Sequence, residues 1–124
     1  MTISTIRTRA CTVLVVEDDA AVRDACTEAL VDEGYAVHSA ADGLAALAEL
    51  GCAPDVVVLD LVMPRMDGWE FLRRLRALPD HERTPVLLLT ATASTGAALA
   101  GAQAILRKPF VLEALLRHVS DLAG

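Results

Sequence analysis

The feature that most constrains this chain is a rhythm: short, nearly continuous apolar runs alternate with longer segments of helical period. A strand covered on both faces shows no polar alternation, and parallel strands need crossover helices between them. Five runs fit such strands, Thr12 to Val16, Ala36 to Ser39, Val56 to Leu59, Val86 to Leu89 and Ala104 to Leu106. The segments between them carry apolar stripes. Val22, Ala25, Cys26, Ala29 and Leu30 share one face of a helix over Ala20 to Asp32, with Gly34 as its stop. Asp42 caps a second helix reaching Leu50. A third, Trp69 to Leu78, turns Phe71, Leu72, Leu75 and Leu78 inward, leaves Arg73, Arg74 and Arg76 largely in solvent, and ends at Pro79. The last, Val111 to Leu122, brings Leu112, Leu115, Leu116 and Val119 to the sheet. The expected class is α/β with a doubly wound parallel sheet; the pattern alone leaves strand order open.

The 124 residues suit one domain with one sheet-centred core, and a 54% hydrophobic composition excludes disorder. Residues 1–10 lack periodicity and read as a loose arm before a domain over 11–124, with no linker or effector domain expected. No apolar stretch approaches the roughly 20 residues a bilayer span needs. The run Val13 to Val16 is too brief for a secretory signal, so a cytoplasmic location is expected. Cys11, Cys26 and Cys52 are odd in number and lack Cys-x-x-Cys spacing, which favours small buried hydrophobes over disulfides or zinc. His38, His81 and His118 are equally scattered. A net charge of −6 argues against direct nucleic-acid binding.

In open α/β sheets, functional polar groups gather beyond the carboxyl ends of the strands. Strand one ends in Glu17, Asp18 and Asp19, strand three in Asp60 and strand four in Thr90, while Lys108 follows strand five. If strands one and three are neighbours, their carboxylates converge, and each like-charged pair about 4 Å apart costs on the order of 4 kcal/mol at an effective dielectric near 20. Such a cluster calls for a cation. Oxygen donors without Cys or His select a hard ion, and Mg²⁺, which pairs one or two carboxylates with phosphate oxygens and water, is preferred to Ca²⁺. A carboxylate can attack phosphorus once the charge on the transferring group is neutralised, which suits Asp60 as nucleophile and Lys108 as the fixed cation. Thr90 can donate to a phosphoryl oxygen, and Pro109 makes a cis bond after Lys108 an option. An Asp at a strand end is often only the cap of the next helix, the reading preferred for Asp19 and Asp42. It fails for Asp60, because Leu61 to Pro64 do not start a helix and Asp67 is better placed as the cap. Met63, Met66 and Trp69 are expected to pack, and Gly68 to meet a backbone requirement.

Four pieces in order, VLVVEDD (Val13 to Asp19), VVLDLVMPRMDG (Val57 to Gly68), LLLTAT (Leu87 to Thr92) and RKPF (Arg107 to Phe110), give the chain its resemblance to response-regulator receiver domains of two-component phosphorelays. The resemblance implies a flavodoxin-like five-stranded sheet of order 2-1-3-4-5. It also implies a phosphoacceptor at Asp60, served by a sensor histidine kinase or a histidine phosphotransfer protein. Mg²⁺ would be held by Asp18, Asp60 and the Val62 backbone carbonyl, with Glu17 acting through water; Thr90 and Lys108 would touch phosphoryl oxygens. Such a domain, a monomer or weak homodimer, assists only its own phosphorylation and dephosphorylation and signals to a downstream protein. Two departures stand out. Ile105 occupies the position where the family carries a rotating aromatic, and the stretch from Thr90 to Gly101 is short by roughly one turn, about 3.6 residues, leaving a fourth helix of two turns at most. Output through the usual face of fourth helix, fifth strand and last helix is therefore expected to differ from the standard. A haloacid-dehalogenase-type phosphatase would need a second Asp where Val62 stands. A pseudo-receiver would have lost acceptor, acid pair or lysine. A dinucleotide fold would need Gly-x-Gly-x-x-Gly after strand one.

Overall fold

The computed structural model describes residues 11–63, 65–91 and 101–124. Its strands are β1 (Thr12–Val16), β2 (Ala36–Ala40), β3 (Val56–Asp60), β4 (Val86–Thr90) and β5 (Ala104–Arg107). Its α-helices are α1 (Ala20–Asp32), α2 (Gly43–Ala48), α3 (Gly68–Ala77) and α4 (Leu112–Ala123). All strand pairs are parallel, in the order β2-β1-β3-β4-β5. The order reverses between β1 and β3, the place where an open sheet of this kind forms its crevice.

The sheet separates two apolar layers. Leu14, Val16, Val57, Leu59 and Leu88 face Ala46, Met63, Met66, Phe71 and Leu75 on one side. Val13, Val15, Val58, Leu87 and Leu89 face Cys26, Leu30, Leu115 and Val119 on the other. Successive residues of a strand point to opposite faces, so burying both is what makes β3 and β4 unbroken apolar runs. Each large aliphatic side chain fully buried here contributes roughly 1.5–3 kcal/mol. Three helix starts carry the caps their sequences call for. Asp19 accepts from Ala21 N and Val22 N, Asp42 from Ala45 N, and Asp67 from Glu70 N.

Several expectations need correction. β2 is not doubly covered: it lies at the sheet edge, and Ala36, His38 and Ser39 are exposed. The helix after Asp42 ends at Ala48 and tightens into a 3₁₀ turn, Glu49–Cys52, closed by Ala53 at φ 52°. Trp69, Leu78 and Leu112, expected to pack inward, are exposed because each sits at a helix end, where the stripe runs off the sheet. Cys26 is buried as expected, whereas Cys11 and Cys52 are only partly so. Arg76 leaves the solvated row: its Nε donates to Gly101 O at 2.9 Å and its Nη1 to His81 O at 2.9 Å, fastening α3 to the chain that enters β5. Ile105 is half-buried against the layer containing Leu72 and Leu88. The short fourth helix and the arm over 1–10 fall outside the described residues.

Candidate functional site: an acidic crevice facing a lysine

Adjacent strand ends bring the polar residues together. β1 pairs with β3 up to Val16 and Leu59, so the next residues, Glu17 and Asp60, emerge side by side. Carboxylate oxygens of Glu17, Asp18 and Asp60 lie within 4.8 Å of one another. Glu17 and Asp60 are buried and Asp18 is exposed, so the crevice opens to solvent on the Asp18 side. Lys108 enters from the far end of the sheet. Its backbone N donates to Thr90 O at 2.8 Å, which sets lysine and threonine on neighbouring strand ends. Its Nζ stands 2.8 Å from Glu17 Oε1 and 3.4 Å from Asp60 Oδ2. The Lys108–Pro109 peptide is cis. Thr90 is buried at the end of β4.

The electrostatics follow from burial. Loss of water raises the Asp60 carboxyl to about 7, and the neighbouring Glu17 adds to the rise against the opposing Lys108 charge. Burial alone would lower the Lys108 ammonium, but Glu17 and Asp60 more than offset it, and its pKa is raised. Glu17 Oε1 lies beside that ammonium but has no well-aligned hydrogen-bond partner among the described residues. A buried carboxylate oxygen left in this state, beside two further carboxylates and without nitrogen or sulfur donors, fits a small hard cation such as Mg²⁺. Burial, with Glu17 adding to it, also pushes the Cys26 thiol up to about 11, which makes that sulfur a packing group and not a nucleophile.

The backbone around Asp60 is held tightly. A Cβ on Gly68 would come within 2.5 Å of the Asp60 carbonyl oxygen, so only glycine lets α3 begin there. Val62 N reaches Asp60 Oδ1 at 3.3 Å, and the Val62 side chain projects into solvent. Sequence reasoning missed two supports. Arg23 Nη1 donates to Glu17 O at 2.8 Å and tethers the acidic turn to α1; its place on the first turn after the acids was the signal available. Arg65, at φ 67°, pairs with Asp42 at 2.7 Å, a contact between loops more than twenty residues apart that no local pattern announces.

The family model described as "Response regulator receiver domain" matches residues 13–120. The chain belongs to the response-regulator receiver domain family. Among its relatives, Response regulator MprA of Mycobacterium sp. (strain KMS) is 44% identical over 115 residues, covering 89% of this chain and 49% of that protein. The chain thus spans about half the length of the curated relatives it matches. Among solved structures, this receiver domain superposes on the chemotaxis protein CheY4 of Vibrio cholerae with a TM-score of 0.86 at 36% identity, covering 92% of this chain and 99% of that one. NtrX from Brucella abortus gives 0.83 at 29% identity, covering 93% of this chain and 27% of that one. Receiver domains are phosphorylated by kinases in two-component signalling and pass the signal to effectors. The receiver fold and sheet order expected from the sequence are those found. No described helix is long and apolar enough to cross a membrane.

Proposed function

We propose that this receiver domain takes a phosphoryl group onto Asp60 in a Mg²⁺-dependent reaction, from a phosphohistidine on a sensor kinase or phosphotransfer protein. The single observation that carries this reading is the meeting of Asp60 with the Lys108 ammonium at 3.4 Å inside a cluster shared with Glu17 and Asp18. Asp18, Asp60 and the Val62 carbonyl would hold the ion, with Glu17 acting through water. When bound, the ion supplies positive charge to the transferring group and holds Asp60 ionised. An Asp60 oxygen attacks phosphorus as the P–N bond breaks, and its electron pair leaves with the donor imidazole. Lys108 faces the charge that builds on the phosphoryl oxygens, and the Thr90 hydroxyl donates to another of them. The chain assists only its own phosphorylation and hydrolysis: Val62 stands where a phosphatase acting on external substrates would need a general acid.

We read residues 11–124 as the receiver unit, 1–10 as an arm, and the site of action as the cytoplasm. Output is proposed to differ from the aromatic-switch mode, because Ile105 has a stiff branched side chain with no polar tip to expose or bury. The decisive test is labelling by a small phosphodonor in Mg²⁺. Wild type should incorporate about one phosphoryl group per chain, and Asp60→Asn none. Undiminished labelling of the variant would move the acceptor elsewhere.

A further inference from the structure

Arg65 is exposed and adopts φ 67°, a left-handed conformation that costs any residue with a Cβ. Its guanidinium pairs at 2.7 Å with Asp42, whose side chain is only 12% exposed and already caps α2 through Ala45 N at 2.9 Å. The Ala45 amide, with Arg65 adding to it, holds the Asp42 carboxyl below the usual carboxylate range. At the same point the two loops nearly touch. A Cβ on Gly43 would fall 2.8 Å from both the Met66 carbonyl oxygen and Met66 Cγ. Among the described residues after Asp60, Gly68 is thus fixed against the Asp60 carbonyl, and Met66 and Arg65 against the start of α2. Val62 lies between Asp60 and these anchors, and its amide reaches Asp60 Oδ1. A non-glycine residue held at positive φ, with its exposed side chain anchored by an ion pair, fixes the position of the backbone that carries it.

We propose that Arg65 is a positioning residue: its ion pair with Asp42 sets the loop that presents the Val62 carbonyl, and thereby the affinity of the site for Mg²⁺. The inference rests on the magnesium-binding reading of Asp18, Asp60 and Val62. Arg65 does not touch the ion; it acts through the backbone, as outer partners of metal ligands do.

The test uses Arg65→Gly, which removes the guanidinium while relieving the left-handed backbone, and Asp42→Asn, which removes the charge while keeping a good helix cap. Mg²⁺ affinity is read from the rise in melting temperature with added MgCl₂ and from the fluorescence of Trp69, the chain's single tryptophan. Each variant should bind Mg²⁺ about tenfold more weakly, the double variant no more weakly than either, and the metal-free melting temperature of Arg65→Gly should not fall. Unchanged Mg²⁺ affinity in both variants, whatever happens to metal-free stability, would overturn the proposal. So would losses that multiply in the double variant. A wild-type protein that shows no response to Mg²⁺ would overturn the magnesium site itself and this inference with it.

Discussion

In the proposed role of acceptor, Asp60 sits where two demands conflict: it would have to be ionised to attack, yet burial beside Glu17 lifts its pKa from 3.8 to about 7. Between these values the folded, metal-free chain holds a proton that the unfolded chain has released, so this residue's contribution falls as pH rises and levels off above about 7. Asp42 and Glu70 work in the opposite sense. Their carboxyls are held low, by the Ala45 amide and by Arg74 and Arg73 respectively, and what they contribute is lost on acidification. Comparison with Asp60→Asn isolates the one group. In denaturant unfolding of metal-free protein, wild type should lose stability relative to that variant as pH climbs from about 4 to about 7. Parallel profiles would place the titration elsewhere. Adding Mg²⁺ at neutral pH should raise the stability of wild type, by about 2.7 kcal/mol at a hundred times the dissociation constant.

Among the elements, α3 is the most constrained at its start, because Gly68 packs its α-carbon against the Asp60 carbonyl. Gly68→Ala must push backbone apart, which cannot be absorbed by a flexible side chain, and should cost roughly 1–3 kcal/mol in chemical denaturation while also reducing phosphoryl labelling, since the displaced atom belongs to Asp60, the proposed acceptor. Stability equal to wild type would mean that the helix start can shift freely. The strands, caps and strand-end acids were legible because each is written locally, in runs of Val and Leu, in an Asp before a helix, in a carboxylate after a run. The edge position of β2 lay in the strand order that the resemblance implied, not in the hydrophobic period. What was not legible is long-range. The bonds of Arg76 to Gly101 and His81, and of Arg65 to Asp42, join residues whose neighbourhood in sequence says only that an arginine is solvated. Trp69 misled for a related reason: an aromatic beside a helix start fills a core only if the helix axis turns it that way, and here it does not.

Taken whole, the molecule is two cores divided by one sheet, and the division is sharp enough to separate adjacent residues. Val58 and Leu59 are neighbours in β3, yet one packs with Cys26 and Leu30 and the other with Phe71 and Leu75. Truncating each to Ala should cost about 1–4 kcal/mol, and the two losses should add to within about 0.5 kcal/mol. The pair Leu59→Ala and Phe71→Ala shares a layer and should not add. Strong coupling between Val58 and Leu59 in a double-mutant cycle would show the layers to be mechanically joined. The edge position of β2 has a different consequence. Beyond its outer side no further strand is seen among the described residues, so its amides and carbonyls form a half-completed ladder that a foreign backbone could extend. Five residues of length, with His38 and Glu49 paired at 3.3 Å beside them, keep that seam short and charged. This border, and not the acidic crevice, is where extra length or greasiness would be paid for in clumping.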